Sequence, residues 1–188
     1  KSLNFGFDFS AFQNRLQVNV DYYINNTDNL LFSMPIPQTT GFDKYTTNIG
    51  NVRNTGIELD ITSHNINKGD FKWTTNLNLS HNKNEVTDMG GQKELIVTSW
   101  SQRYKTEIGK PLSQYLAYKS NGFLTPDCFD ANGKAIVPIL AGQEEGNPRY
   151  VDQNGDGKIT TDDQVVCGNN LPDVTFGFTN KFSYKNFE

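Results

Sequence analysis

Leu3-Asn4-Phe5-Gly6-Phe7-Asp8-Phe9-Ser10 alternates a wholly apolar series with a series of polar or small residues. Successive side chains of a β-strand leave opposite faces, so this period of two predicts a strand with one apolar and one polar face. After the short turn Ala11-Phe-Gln-Asn14, the residues Leu16, Val18, Val20 and Tyr22 alternate with Gln17, Asn19, Asp21 and Tyr23, and the two runs form an antiparallel hairpin. Ile57, Leu59 and Ile61 repeat the pattern until His64-Asn-Ile-Asn-Lys-Gly-Asp70 turns the chain. Trp73, Thr75, Leu77 and Leu79, and later Phe176, Phe178, Phe182 and Tyr184, each share a face in the same way. Strands are therefore expected at about 3–10, 15–24, 56–63, 71–82 and 174–185. Long loops are expected at about 25–54, where Met34-Pro-Ile-Pro37 and Thr-Thr-Gly41 interrupt regular structure, and at about 88–172. Inside the second loop, Asp130-Ala-Asn132-Gly133-Lys predicts a type I′ turn joining short β segments at 123–129 and 135–140.

Short turns thus lie at one end of the strands and long excursions at the other, an all-β, antiparallel plan. Outer-membrane barrels have this asymmetry, with short periplasmic turns and long extracellular loops. Tyr22 and Tyr23 fall at the long-loop end, and Phe12, Phe71, Trp73, Tyr184 and Phe187 at the short-turn end, where interfacial aromatic girdles would lie. A soluble sandwich with its apolar face turned inward has the same alternation, and periodicity leaves the two open.

Composition narrows the field. Hydrophobic residues are 35% of the 188, the formal net charge is −4 and the mean hydropathy is −0.61. Thirteen Phe and eight Tyr, among many Asn, Thr, Ser and Gly, make a β composition poor in helix formers. No run approaches the ~20 apolar residues of a transmembrane helix, whereas barrel strands keep average hydropathy low and pass that test unseen. The acidic balance, without a Lys/Arg cluster, argues against a nucleic-acid partner. Cys128 and Cys167 are too few for a disulfide scaffold and lack zinc-site spacing, so they are either free or bridged across one loop region. The chain opens on Lys1 without a basic stretch followed by an apolar one, so either it stays in the cytoplasm or it is a piece of a longer precursor.

One stretch carries specific chemistry. Asp152-Gln-Asn154-Gly-Asp156-Gly157-Lys158-Ile159-Thr160-Thr-Asp-Asp163 sets out oxygen ligands at the spacing of a 12-residue EF-hand-type loop. Asp152, Asn154, Asp156, the Lys158 carbonyl, Thr160 and Asp163 take the ligand positions, Gly157 the sharp turn and Ile159 the apolar anchor. Asp in the last position is shorter than the usual bidentate Glu, and an Asp/Asn/Gly-rich turn without an ion remains the alternative. Helix breakers on both sides, Pro148 before and Gly168 and Pro172 after, exclude the helix pair of a calcium sensor. The expected role of Ca²⁺ or Mg²⁺ here is structural, clamping a loop.

Trp100, Tyr104, Tyr115 and Tyr118 offer an aromatic platform for sugar rings or peptide, or else pack locally within the long loop. His64 and His81 have no Cys or Ser partner at a motif spacing, and Glu144-Glu145 sits in a Gly/Pro-flanked turn, so no enzyme is expected.

Asn48-Ile-Gly-Asn-Val-Arg-Asn-Thr-Gly56-Ile57-Glu58-Leu59, followed by Phe71-Lys-Trp73 and Asn76-Leu-Asn-Leu-Ser-His-Asn-Lys-Asn84-Glu85-Val86, closely resembles the SusC/RagA family of TonB-linked outer-membrane transporters of Bacteroidetes. Ile108-Gly109-Lys110-Pro111-Leu112, Tyr118-Lys119-Ser-Asn-Gly122-Phe123, Asp152 to Thr160, and Phe176 to Phe187 continue the resemblance in the family's order. It implies the C-terminal part of a large barrel in the bacterial outer membrane, whose parent holds a plug and contacts TonB through its N-terminal region. It also implies a SusD-like surface lipoprotein as partner and a glycan or peptide as cargo. Under this resemblance the apolar faces meet lipid, while Asn4, Asp8, Gln17, Asn19, Glu58, Asp60, Asn76 and Asn78 face a polar lumen. Five strands, below the minimum of ~8, do not close a barrel by themselves, so the chain is expected to be a fragment. In water its apolar faces would have to pack on one another or on another chain; a soluble glycan-binding module with a structural calcium is the alternative.

Overall fold

The computed structural model describes residues 1–36, 39, 41–42 and 44–188, with 34, 35 and 44 described by their backbone. They divide into two compact units, Lys1–Leu95 with Thr106–Leu112 and Leu171–Glu188, and Ile96–Lys105 with Ser113–Asn170.

The first unit is built on a five-stranded antiparallel sheet of order β1-β2-β3-β4-β11. Its strands are β1 (Ser2–Ala11), β2 (Leu16–Pro35), β3 (Lys44–Lys68), β4 (Phe71–Met89) and β11 (Val174–Tyr184). The register turns the alternation into two opposed faces. Phe7, Val20, Leu59, Leu79 and Phe176 stand in one straight rung, and Phe9, Val18, Ile61, Leu77 and Phe178 in the next of the same face. The rung between them belongs to the opposite face and reads Asp8, Asn19, Asp60, Asn78 and Gly177. The apolar face is open: Phe5, Phe7, Phe176 and Phe178 are 60–75% exposed. From Val174 to Phe182 it runs nine residues, ~27 Å over the steps between them at ~3.4 Å each, which a barrel's ~40° tilt reduces to ~20 Å, close to the ~25 Å apolar band of outer-membrane barrels.

Three close turns mark one end of this sheet. Phe12, Gln13 and Asn14 all have positive φ, Gly69 takes 58° in the two-residue turn to β4, and Lys185 takes 53° where Tyr184 and Phe187 exchange backbone hydrogen bonds. Here β3 continues through His64 to Lys68, so the expected turn at 64–70 shrinks to Gly69-Asp70, and a bulge at Asn65 absorbs one residue. The aromatic girdle expected at this end includes Trp73 stacked on Phe182, ring centroids 5.6 Å apart.

At the other end the expected loop at 25–54 is corrected. β2 and β3 stay paired as far as Pro35 and Lys44, with a register shift between Thr27 and Leu31 where Asn29 adopts positive φ. Positions 37, 38, 40 and 43 of that loop lie outside the described residues. Strands of 20, 25 and 19 residues far exceed the ~9–11 that cross a bilayer, so β2, β3 and β4 project beyond the apolar band. There Val52, Val86, Met89 and Leu95 form a small core with Leu30, Phe32, Ile49 and Leu112 against it. The Ile108-to-Leu112 motif closes it: Gly109 N–H donates to the Val86 carbonyl (2.8 Å), Val86 N–H to that of Lys110 (3.0 Å), and Leu112 N–H to Asn84 Oδ1 (2.9 Å).

The expected loop at 88–172 is likewise corrected, since it carries strands of its own. β5 (Glu94–Ser99), β6 (Gln102–Glu107), β7 (Gln114–Tyr118) and β10 (Gln164–Gly168) make a four-stranded sheet of order β10-β7-β6-β5, and β8 (Ser120–Phe123) pairs with β9 (Pro148–Tyr150). The turn at 130–134 is not type I′. Gly133 has φ 75° while Asn132 has no positive φ, and the Asp130 carboxylate accepts from the N–H groups of Asn132 and Lys134 (both 2.9 Å). An Asp side chain that caps the turn removes the need for two left-handed residues. Of the two expected segments, only the bridge Phe129 to Ala135 pairs across it.

Candidate functional site

The second unit holds the candidate cation loop, and the loop is ordered by its own side chains. Asp152 accepts from the N–H of Gly155 (2.7 Å) and of Gly157 (2.8 Å), one with each carboxylate oxygen. Asn154 Oδ1 accepts from Asp156 N–H and Asp156 Oδ1 from Lys158 N–H, both at 2.9 Å. Gly155 and Gly157 take φ of 73° and 81° between these Asx turns, a conformation cheap only for glycine. Ile159 is buried, as expected of the apolar anchor.

Asp163, the last ligand position, is fully buried. Its Oδ1 accepts from Gln153 N–H (2.8 Å) and its Oδ2 from Thr160 N–H (2.7 Å), and the Thr160 side chain accepts from Asp162 N–H (3.2 Å). The two ends of the loop are thus closed by a capping box around the 3-10 turn Thr161–Asp163. Thr160 foremost, then Gln153 and Asn154, hold the Asp163 carboxyl below the usual carboxylate range although burial opposes them. The six positions named from sequence are therefore brought into one loop. Among the described residues no three or more His, Cys, Asp or Glu are arranged to hold an ion; Asp152 and Asp163 instead spend both oxygens on backbone donors.

Arg103 anchors the loop, and sequence reading missed it. Arg103 Nη1 on β6 donates to the Thr161 carbonyl (2.9 Å) and to Gln164 Oε1 (2.8 Å). Burial pushes the Tyr118 phenol up, with Arg103 pulling down and Asp163 and Tyr150 adding to the rise. Tyr118 stacks on Tyr150, centroids 4.9 Å apart, and Tyr104 meets Tyr115 across β6 and β7 at 5.4 Å. The four aromatics named from sequence therefore separate: two form one pair, Tyr118 finds Tyr150, and Trp100 stands 99% exposed at the β5–β6 turn with φ 51°. Cys128 is buried, Cys167 is exposed, and they are not bridged.

The polar face of the first unit contains a second feature that the alternation alone did not single out. Asn4, Asp21, Tyr23, Asn25, Asn54, Glu58 and Asn82 line a concavity of about 480 Å³. Tyr23 lies across Gly56 on the neighbouring strand, and its hydroxyl donates to Asn82 Oδ1 (3.1 Å). A Cβ at Gly56 would stand 2.5 Å from the Tyr23 ring and 2.6 Å from the His81 carbonyl oxygen. The signal was a glycine inside a strand, which marks a close approach. His64 and His81 are sheet residues, with Nδ1 of each within reach of Thr74 Oγ1 (3.1 Å) and of the Asp173 carbonyl (2.5 Å).

Residues 1–163 match the family model described as TonB dependent receptor-like, beta-barrel. TonB-dependent receptor P39 of Formosa agariphila is 36% identical over 98% of this chain and 20% of its own length. TonB-dependent receptor SusC of Bacteroides thetaiotaomicron is 32% identical over 98% of this chain and 18% of its own, so the chain spans about a fifth of the curated relatives it matches. The RagAB peptide transporter shares the fold, with a TM-score of 0.72 at 24% identity over 98% of this chain and 19% of that one. A sheet whose apolar face is open and whose other face is polar is what an unclosed piece of barrel wall requires, and with these matches the chain belongs to the family of TonB-dependent receptor-like β-barrels.

Proposed function

We propose that the chain is a wall segment of an outer-membrane nutrient importer that takes up glycans or peptides with a SusD-like surface lipoprotein and is driven by TonB through a part of the parent outside this chain. The observation that carries the reading is the open rung Phe7, Val20, Leu59, Leu79 and Phe176 beside the polar rung Asp8, Asn19, Asp60 and Asn78. Water does not tolerate an apolar surface of that extent, and lipid does. A soluble glycan-binding module would need a cover for that face. Likeness to SusC and to RagAB, which is a peptide transporter, supports a surface-lipoprotein partner and a peptide cargo, and glycan is the second cargo class the family resemblance implies. The test is fractionation of the strain that makes the full-length protein, together with uptake by a strain in which its gene is deleted. Outer-membrane recovery and loss of growth on one glycan or peptide source support the reading; recovery in the soluble periplasm overturns it.

Within that reading, the Asp152 to Asp163 loop is a structural clamp on the extracellular side, tightened by Ca²⁺ or Mg²⁺ held by Asp152, Asn154, Asp156, the Lys158 carbonyl, Thr160 and Asp163. The ion would join carboxylates of one loop that otherwise repel, and Asp152 and Asp163 keep lone pairs beyond the hydrogen bonds they accept. Trp100, alone and exposed, is the remaining aromatic with a free face for cargo or partner.

A further inference from the structure

The close-turn end of the first unit differs in charge from the rest of the chain. Arg15, Lys68, Lys72, Lys181 and Lys185 gather there against two acids, Asp70 and Glu188, in a chain of formal net charge −4. The register separates these cations by face. Lys68 shares a rung with Phe71 and Tyr184, which belongs to the apolar face, whereas Lys72 stands with Asn67 and Ser183 on the polar one. Lys185 Nζ lies over the Tyr184 ring, 5.5 Å from its centroid. Lys181 is paired with Glu188, and among the described residues no carboxylate pairs with Lys68 or Lys185. Phe71, Tyr184 and Phe187 around them are exposed. Tyr184, with its polar hydroxyl, and the phenylalanines Phe71 and Phe187 edge the apolar band here, and exposed lysines stand beside them on the same side.

We propose that this end is a docking belt for the phosphate headgroups of anionic phospholipid, with Lys68 and Lys185 as its contacts. The proposal rests on the membrane reading above, in which this end faces the periplasmic leaflet. Aromatic rings set the depth of the sheet in the interface, and lysines beyond them reach phosphate while their stems stay on apolar surface. Each such lysine near an anionic surface is worth ~1 kcal/mol, about fivefold in lipid occupancy.

The test uses the full-length protein in nanodiscs of phosphatidylcholine with and without phosphatidylglycerol, reading thermal stability and, by native mass spectrometry, retained phosphatidylglycerol. Expected are a higher Tm with phosphatidylglycerol, about fivefold less retention for each of Lys68→Gln and Lys185→Gln, and no change for Lys72→Gln, which faces the other way. Equal Tm in both discs, undiminished retention by the double variant, or equal protection by free inorganic phosphate would overturn the belt. Failure of the membrane reading is distinguishable, because the wild type would then not enter discs at all.

Discussion

The sheet of the first unit and the loop of the second satisfy their backbones by opposite means. In the sheet, strand pairs 10 to 18 rungs long leave the side chains free to face two solvents. In the loop, no ladder is available, and Asp152, Asn154, Asp156 and Asp163 accept backbone N–H groups one by one. The lesson is where each region is vulnerable. A side chain on the sheet matters by the face it occupies, whereas one in the loop matters by the donors it leaves behind.

The largest effect should come from testing faces. Val20→Lys puts a charge in the centre of the apolar rung and should cost ~2–4 kcal/mol of barrel stability, while Asn19→Lys, one residue away between Asp8 and Asp60, should be near neutral. Equal costs, in folding titrations of the full-length protein into lipid, would remove the distinction between faces. Next comes Asp163→Ala, which removes a buried carboxylate and leaves the N–H groups of exposed Gln153 and half-buried Thr160 without their acceptor, ~1–3 kcal/mol in all. Hydrogen exchange should show the loss confined to 152–164, with the sheet amides unchanged. Gly56→Val forces a side chain against Tyr23 and the His81 carbonyl and should cost ~1–3 kcal/mol by overpacking, read as a lower Tm that Tyr23→Ala partly restores.

Two smaller effects concern the loop. Asp163 is held below the ordinary aspartate value of 3.8, so its contribution to stability is fully present above that value and is lost as pH falls through the lowered one. Protection factors at Gln153 and Thr160 should therefore survive to below pH 3.8 and then collapse; loss well above it would contradict the assignment. Ca²⁺ should raise the melting of the loop relative to EDTA in the wild type and not in Asp156→Ala, and a wild type that melts alike in both has no clamp.

How much of this was legible depends on whether an alternation existed to be read. Leu3 to Phe9 and Phe176 to Tyr184 alternate because their two faces meet different surroundings, and their strands came out within a residue or two, as did the start of β2 at Leu16. Past the apolar band Asn25-Asn26-Thr27-Asp28-Asn29 has no period, and loop composition hid strands held by the ladder and by the small core of Leu30, Phe32, Ile49 and Val52. At 64–68 the Asn and Lys residues read as turn formers while the ladder to Phe71 and Trp73 held. The spacing of the Asp152 loop gave its turns, glycines and buried anchor. That Asp163 would be buried, and that Arg103 would reach the Thr161 carbonyl and the Gln164 side chain from far away in sequence, depended on tertiary neighbours no local motif encodes.

The account stands on the direction of one face. Single nitroxide labels on the full-length protein in lipid, at Val20, Leu59 and Phe176 on one face and Asn19, Asp60 and Asn78 on the other, should report oxygen contact for the first set and contact with a water-soluble nickel chelate for the second. Labels at Val20, Leu59 and Phe176 that meet the chelate and not oxygen would show that face to be wet or packed in protein, and would contradict the barrel-wall reading.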